Sequence, residues 1–315
     1  MLIDDLTAPR GLTHTGDSLL IAEGGAGRIL RYDLAEETLV EVASRLPVSL
    51  DAGPGGNTAA GVTAVVEWPA GGQDALAFAV GEYRGGRFSR LYALAPGAEP
   101  EGITPLSDPM EPGGLVNPYD LVLLGDDFIV SDPGANALWR VTPEGEVLPY
   151  ADFPDLGGLV DDRGVEVVPT GMHLDQAAGD GTIYVASLTG YPYPPGAASI
   201  YAVRDLNGDG DALDAGEVEV AATGFTAATD VAVIEGGFLV TEYSADMLAL
   251  VEEHGVDEAA AVPGRLVRWR DGATEYLADV VSPTSVLVDR SQDSGPRALV
   301  SEEFPGRIVA IDLDD

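Results

Sequence analysis

The sequence of 315 residues contains no cysteine, no lysine and only three histidines. The lack of cysteine excludes disulfides, thiol catalysis and cysteine-ligated zinc sites. No apolar run approaches the roughly 18 residues of a membrane-spanning helix, and Met1 is followed by neither a basic nor an apolar signal region. No phosphate-binding loop, nucleophile elbow or HExxH motif is present. We therefore expect no membrane insertion, no signal peptide in this chain and none of those enzyme classes.

Positive charge is also scarce. The chain has 53 acidic and 16 basic residues, which gives a net charge of −37, and without lysine every basic residue is an arginine. Such a surface repels nucleic acids and anionic membranes, so we predict no nucleic-acid partner. Two interpretations of the acidity remain open. The protein is adapted to a salty medium that screens its self-repulsion, or its genome is GC-rich and favours these residues.

One stretch of the chain, residues 117–141, sets the pattern for the rest. Its sequence, NPYDLVLLGDDFIVSDPGANALWRV, predicts three short strands, Asp120–Leu124, Phe128–Ser131 and Ala137–Val141. Clusters of Gly, Asp, Pro and Asn separate these apolar segments, as is typical of an antiparallel meander.

The same pattern occurs six times along the chain. The end of the second strand in each unit falls on Glu23, Glu82, Asp132, Ser187, Glu242 and Glu302, at intervals of 50 to 60 residues. Propeller blades of the kelch type have about 50 residues, and propellers have about 4–8 blades. We therefore predict an all-β, six-bladed β-propeller in which residues 1–315 form a single domain. The last unit lacks its fourth strand, and the N-terminal LIDDL segment is predicted to close the ring by pairing with the C-terminal strand.

Several turn and strand-end motifs resemble those of known propellers. The repeated pattern, a PxG-like start, a strand ending in an acid and then G-x-hydrophobic-x-R, resembles NHL-type propellers. More closely, the chain resembles the ScyD/ScyE family in the motifs Pro9–Leu12, Asn117–Asp120, Pro169–Gly171, Leu188–Ala197 and Thr223–Thr226. The resemblance implies a β-propeller in the periplasm or outside the cell.

Polar residues gather at one face of the predicted propeller. The inner strand of each blade starts where the second strand ends, so both points lie near the axis on the same face. We predict a ligand face that contains Arg10, Glu82, Asp120, Thr170, Asp230, Thr284 and Glu302. The candidate catalytic residues on this face are Glu23, Asn117, Asp132 and Glu242. The carboxylate, amide and hydroxyl oxygens of this face suit a hard cation such as Ca²⁺. Alternatively, the acids accept hydrogen bonds from turn N–H groups and align neighbouring blades.

A second candidate site is the segment DLNGDGDALDAGE at residues 205–217, predicted as the tip of an outer hairpin on the opposite face. It contains D-x-N-x-D-G, the beginning of an EF-hand-type calcium loop, but the twelfth position is Gly216 and the glutamate follows one residue later. The predicted Ca²⁺ ligands are Asp205, Asn207, Asp209, Asp211, Asp214 and Glu217. A polar hairpin turn is the alternative. If bound, the calcium is expected to be structural.

The sequence favours a non-enzymatic, calcium-stabilised propeller that binds a small ligand or a protein partner on its acidic face. Gluconolactonase-like and paraoxonase-like propellers hold a catalytic metal in a comparable place, so a metal-dependent lactonase or esterase is one alternative. A scaffold for extracellular interaction or surface assembly is another. The segment Tyr191–Pro195 either covers one side of a pocket or packs over two blades.

Overall fold

The structure is a computed structural model that describes residues 1–53, 56–69, 75–81, 88–95, 103–107, 114–153, 156–160, 163–244, 262–291 and 295–313. Twenty-seven β-strands are the regular elements of these residues. No helix long and apolar enough to cross a membrane occurs among them. Most strands belong to six antiparallel sheets. The predicted six-bladed β-propeller is therefore confirmed.

The blades follow one another along the chain, and each is a meander in which sequential strands pair. Blade one contains β1 (Pro9–Thr15), β2 (Ser18–Glu23), β3 (Arg28–Asp33) and β4 (Thr38–Ala43). After the hairpin β5 (Ser49–Gly53) and β6 (Gly56–Ala60), blade two contains β7 (Val62–Glu67), β8 (Leu76–Val80), β9 (Arg90–Leu94) and β10 (Ile103–Pro105). Blade three contains β11 (Asp120–Leu124), β12 (Asp127–Asp132), β13 (Ala137–Val141) and β14 (Val147–Asp152).

The second half of the ring repeats this order. After the hairpin β15 (Leu156–Val160) and β16 (Arg163–Val165), blade four contains β17 (Val167–Leu174), β18 (Ile183–Thr189), β19 (Ala198–Val203) and β20 (Val218–Phe225). Blade five contains β21 (Ala228–Ile234), β22 (Gly237–Glu242), β23 (Gly264–Arg270) and β24 (Ala273–Val280). Blade six contains β25 (Pro283–Asp289), β26 (Arg297–Glu302) and β27 (Arg307–Asp312). The repeat did not predict the two hairpins between blades.

The N-terminus closes the ring, as predicted. Ile3 forms an antiparallel bridge with Ile308 of β27, and the Ile308 N–H donates to the carbonyl of Ile3 at 2.9 Å. The N-terminal segment thus takes the place of the fourth strand of blade six, but it forms an isolated bridge rather than a full strand.

The hydrophobic core is divided among the interfaces between blades. Six buried clusters each combine residues of two neighbouring blades, and the cluster between blades six and one includes Ile3 and Leu6 of the N-terminal segment. Phe78 and Tyr92, for example, stack at 5.2 Å in the cluster shared by blades one and two. Because the alternating strands bury apolar residues toward both neighbours, every blade depends on the ring for its burial.

Candidate functional site

The candidate functional site lies at the end of the axis where the second strands of the blades end, which we call the upper face. The β-ladder pairs Pro9 with Glu23 and Pro283 with Glu302, so the starts of the inner strands and the ends of the second strands share this face. The predicted ligand-face residue Glu82 lies outside the described residues.

The acids that end the second strands are buried and bound to the backbone. Glu23 accepts a hydrogen bond from Thr7 N at 2.7 Å, and Glu242 accepts one from Thr226 N. Both glutamates are at most 1% exposed. Each donor lies 16 residues before its acid, in the segment that leads into the same blade. These carboxylates therefore fasten the connections between blades.

Three glutamates also pair with an arginine on the next strand. The ladder places Glu23 opposite Arg28, Glu242 opposite Arg265 and Glu302 opposite Arg307. The guanidinium Nε donates to the carboxylate in all three pairs. Both carboxylate oxygens of each glutamate are consequently engaged.

The remaining two candidate catalytic residues contact each other through the backbone. Asp132 accepts hydrogen bonds from Val116 N at 2.6 Å, Asn117 N at 2.8 Å and Gly134 N at 3.0 Å. Burial raises the pKa of Asp132, and these N–H donors oppose that shift. Within the part of the chain that the structure describes, no group of three or more acidic or histidine side chains converges as a metal site. The structure thus favours the alignment of blades over a carboxylate ring.

Threonines near the start of the inner strands tie neighbouring blades together. Thr170 Oγ1 donates to Ala228 O at 3.1 Å, and Thr284 Oγ1 donates to Pro9 O at 3.2 Å. Thr63 and Thr229 make the equivalent bond to the next blade. The predicted ligand residues Thr170 and Thr284 therefore hold neighbouring blades together. Blades one and three carry Arg10 and Tyr119 at this position instead of threonine.

One step deeper along the inner strands, two aspartates approach the axis. Asp120 accepts the Met172 N–H of blade four at 2.7 Å, and Asp230 accepts the Val286 N–H of blade six at 2.7 Å. The absence of a side chain at Gly171 makes room for Asp230, because an added Cβ would lie 2.1 Å from Asp230 Oδ1. Both predicted aspartates are thus brought to the centre.

The two central aspartates share a low-dielectric environment. Burial raises the pKa of Asp120 to about 6. Burial, followed by the charge of Asp120, raises the pKa of Asp230 well above its usual value. A small cavity of about 10 Å³ lies between these carboxylates, Arg10 and Tyr119, which is room for about one water molecule.

Above this cavity lies an ion pair that the sequence only half predicted. Arg10 Nη2 and Glu303 Oε1 are 2.6 Å apart, and their side chains are 20% and 7% exposed. Arg10 Nε is buried and has no hydrogen-bond partner among the described residues. Arg10 was predicted on the ligand face, whereas Glu303 was missed because it follows Glu302 in a sequence that indicates a turn.

Tyrosines surround this ion pair. The Tyr119 hydroxyl donates to Thr284 O at 2.9 Å. Burial, followed by the Glu303 carboxylate, raises the pKa of Tyr243, and Tyr193 adds to the shift. In the predicted aromatic segment, Tyr191 is 77% exposed, and its ring lies edge-on to that of Tyr193 with the ring centroids 6.2 Å apart. The segment therefore both packs and leaves one aromatic ring open at the rim.

Comparison with solved structures places the chain among the six-bladed β-propellers. A PQQ-bound aldose sugar dehydrogenase of Streptomyces coelicolor matches with a TM-score of 0.59 and 14% identity, over 99% of this chain and 96% of that protein. A gluconolactonase of Xanthomonas campestris matches with a TM-score of 0.58 and 14% identity, over 98% and 88%. A virginiamycin B lyase of Staphylococcus aureus, with quinupristin, matches with a TM-score of 0.54 and 13% identity, over 98% and 96%.

These similarities show the fold alone. No family model matches the sequence, and no curated protein is similar to it in sequence. The class of the protein is therefore a six-bladed β-propeller, while the resemblance to the ScyD/ScyE family stays a prediction.

Proposed function

We propose that the protein binds a neutral, hydroxylated small molecule at the centre of its upper face. The observation that carries this proposal is the Arg10–Glu303 pair at the axis. The arginine side chain is 20% exposed, and its buried Nε has no hydrogen-bond partner within the described part of the chain. Arginine offers several N–H donors in a fixed plane, and a carboxylate offers acceptors beside them. A ligand hydroxyl both donates and accepts, so it satisfies both members of the pair.

The charges around the axis favour a neutral ligand. An anion would meet Glu303 and the aspartate pair below it, and a cation would meet Arg10. The net charge of −37 adds a general repulsion of anions. The exposed ring of Tyr191 at the rim offers an apolar face on which a sugar-like ring stacks.

The compounds named for two of the structural neighbours belong to this ligand class. One is an aldose sugar dehydrogenase and another is a gluconolactonase. A sugar and an aldonolactone are both neutral rings that carry several hydroxyl groups. Sugars and sugar lactones are therefore the first compounds to test.

Hydrolysis of a lactone is the second candidate function, and the pKa of Asp120 favours it. A carboxylate with a pKa of about 6 is suited to accept a proton from water near neutral pH. Asp120 lies below Tyr119. A ligand must therefore displace the Tyr119 ring before it can contact the Asp120 carboxylate. The described residues form no catalytic metal site, so no step of this candidate is assigned to a metal.

A panel of ligands separates the two candidates. Saturation-transfer NMR with neutral sugars, aldonolactones, sugar acids and amino sugars measures binding, and acid release from the lactones measures turnover. We expect binding of neutral compounds, weak or no binding of the charged ones, and no turnover. Turnover that disappears in Asp120→Asn would favour the hydrolase, and failure of every neutral compound to bind would overturn the proposed function.

A further inference from the structure

A groove lies between blades four and five at the end of the axis opposite the upper face, which we call the lower face. The turn between β17 and β18, the hairpin of β21 and β22 and the facing ends of β19 and β20 border it. Its volume is about 540 Å³, within the range of about 300–1,000 Å³ that is typical of small-ligand sites. The groove shares no lining residue with the cavity at the upper face.

Three aromatic rings form one wall of the groove. The centroid of the Tyr184 ring lies 4.8 Å from that of Phe238, and the Phe238 centroid lies 5.8 Å from that of Trp269. Phe238 is buried, whereas Tyr184 and Trp269 are half-buried. The rings of Tyr184 and Trp269 are thus held in place by packing and are accessible from the groove.

Small residues leave this aromatic wall uncovered. Five of the residues that line the groove are alanine or glycine, namely Ala178, Ala202, Ala221, Gly236 and Gly237. Gly237 permits no larger residue, because an added Cβ would lie 1.9 Å from the carbonyl oxygen of Trp269. Val220 adds an apolar side chain that is 56% exposed. The groove therefore offers both aromatic and aliphatic surface to a ligand.

The rim of the groove carries more negative than positive charge. Arg204 Nη1 lies 3.7 Å from Asp180 Oδ2, and Arg204 Nη2 lies 3.7 Å from Glu219 Oε2. The side chains of Asp180 and Glu219 are 49% and 60% exposed. Because two carboxylates share one guanidinium, the described lining of the groove has one negative charge in excess.

We propose that this groove binds a small organic cation in which apolar groups surround or carry the charge. The electron-rich faces of aromatic rings attract cations, and the excess carboxylate at the rim adds to that attraction. The rings and Val220 pack against the apolar groups of the ligand. A protein partner contacts about 20–30 residues on each side, whereas fifteen residues line the groove, so its size favours a small molecule.

The proposal is independent of the ligand at the upper face and of the predicted calcium loop. That loop, residues 205–217, lies between Arg204 and Glu219 in the chain. Its Asp205 carboxylate accepts Gly208 N at 2.6 Å, and its Glu217 carboxylate accepts Leu206 N at 2.8 Å. Within the described residues its side chains do not converge as a metal site, and calcium binding there stays a prediction.

Nuclear magnetic resonance of ¹⁵N-labelled protein tests the groove with choline as the probe. The chain has three tryptophans, so its spectrum contains three indole N–H signals, and Trp269→Phe identifies the signal from the groove. We expect choline to shift the Trp269 signal until it saturates and to leave the signals of Trp68 and Trp139 in place. The neutral analogue 3,3-dimethylbutanol, in which carbon replaces the nitrogen, should need a concentration about tenfold higher.

Two matched variants separate the groove from the acidic surface in general. Glu219→Gln removes the excess charge at the rim and should weaken choline binding about threefold. Glu275→Gln removes an acid that is 62% exposed and pairs with Arg268 at 3.5 Å in blade five. This control should bind choline like the wild type.

Three results would overturn the proposal. The first is a Trp269 signal that choline does not shift, and the second is an equal shift by 3,3-dimethylbutanol at the same concentration, which would indicate a site for neutral ligands. The third is an equal loss of affinity in Glu219→Gln and Glu275→Gln, which would indicate attraction of cations by the whole surface. A capped arginine tripeptide that binds far more tightly than choline would replace the small molecule by a segment of a basic protein.

Discussion

The hydroxyl of Tyr119 in blade three donates a hydrogen bond of 2.9 Å to the carbonyl oxygen of Thr284 in blade six. Blades three and six are opposite one another in a ring of six, so this bond spans the axis. Below it, the described residues enclose the small cavity beside Asp120 and Asp230. A ligand therefore meets the upper face at the level of Arg10 and Glu303.

Loss of this cross-axis bond should destabilise the ring. Tyr119→Phe keeps the aromatic ring but removes the donor, and we expect a loss of about 1 kcal/mol in the free energy of unfolding. Denaturation in urea measures it. Tyr276→Phe is the control, because Tyr276 is 54% exposed on the surface and its variant should unfold like the wild type. Equal stability of Tyr119→Phe and the wild type would contradict a structural role for the bond.

Removal of an acid that ends a second strand at the upper face should lower the free energy of unfolding. Glu242→Ala leaves the buried Thr226 N–H without an acceptor and separates Arg265 from its partner, so we expect a loss of about 2 kcal/mol. Glu275→Ala removes an acid that is 62% exposed and pairs with Arg268 on the surface of the same blade, and should cost less than about 1 kcal/mol. Similar losses in the two variants, measured in urea, would show that Glu242 does not fasten its blade.

Stability should fall as the pH rises through the range in which the aspartate pair ionises. The pKa of Asp120 is about 6 in the folded protein and about 3.9 in an unfolded chain. The contribution of Asp120 to the free energy of unfolding is therefore complete below pH 4 and is lost as the pH rises through 6. Asp120→Asn keeps an oxygen to accept the Met172 N–H and removes the ionisation.

Unfolding free energies from pH 5 to pH 8 test this prediction. The wild type should lose about 1.4 kcal/mol more than Asp120→Asn over this interval, because about one unit of the pKa difference acts above pH 5 and one pKa unit corresponds to about 1.4 kcal/mol. Among the described residues, Tyr119, Arg10 and Glu303 are the other ionisable groups around the pair, and they are unchanged in the variant. Parallel pH profiles for the two proteins would contradict a raised pKa at Asp120.

The net charge of −37 should make stability dependent on salt. Raising KCl from about 0.1 M to about 1 M shortens the screening length from about 10 Å to about 3 Å and weakens self-repulsion. We expect the unfolding midpoint to rise by several degrees. Sucrose at the same osmolality is the control, because it favours burial without screening charge. An equal rise in sucrose would argue against an electrostatic origin.

The fold was predictable because its information is local and repeated. All strands and turns of a blade lie within about 50 consecutive residues. The strands Asp120–Leu124 and Ala137–Val141 were predicted from the sequence with the bounds that the structure has. The hairpin of β5 and β6 was missed because it occurs between blades and does not repeat. The N-terminal closure was predicted from the missing strand of the last unit.

The site was less predictable because its contacts join distant parts of the chain. Sequence identified Glu23 and Glu242 at the right face but not their bonds to N–H groups 16 residues earlier. Tyr119 was missed, although an alignment of the inner strands contains the signal. Most blades place threonine at this position, and Arg10 and Tyr119 depart from that pattern. In this repeat, the threonines bond neighbouring blades to each other, whereas the two residues that depart from the pattern make contacts at the central axis.

Calorimetric titration of the best neutral ligand from the sugar panel into two lysine variants tests the central claim most directly. Arg10→Lys keeps the charge beside Glu303 but removes the planar donors. Arg31→Lys changes an arginine of the same blade that pairs with Glu67 at 3.6 Å on the outside. We predict that affinity falls at least tenfold in Arg10→Lys and stays at the wild-type value in Arg31→Lys. Wild-type affinity in Arg10→Lys would contradict a ligand site at the Arg10–Glu303 pair.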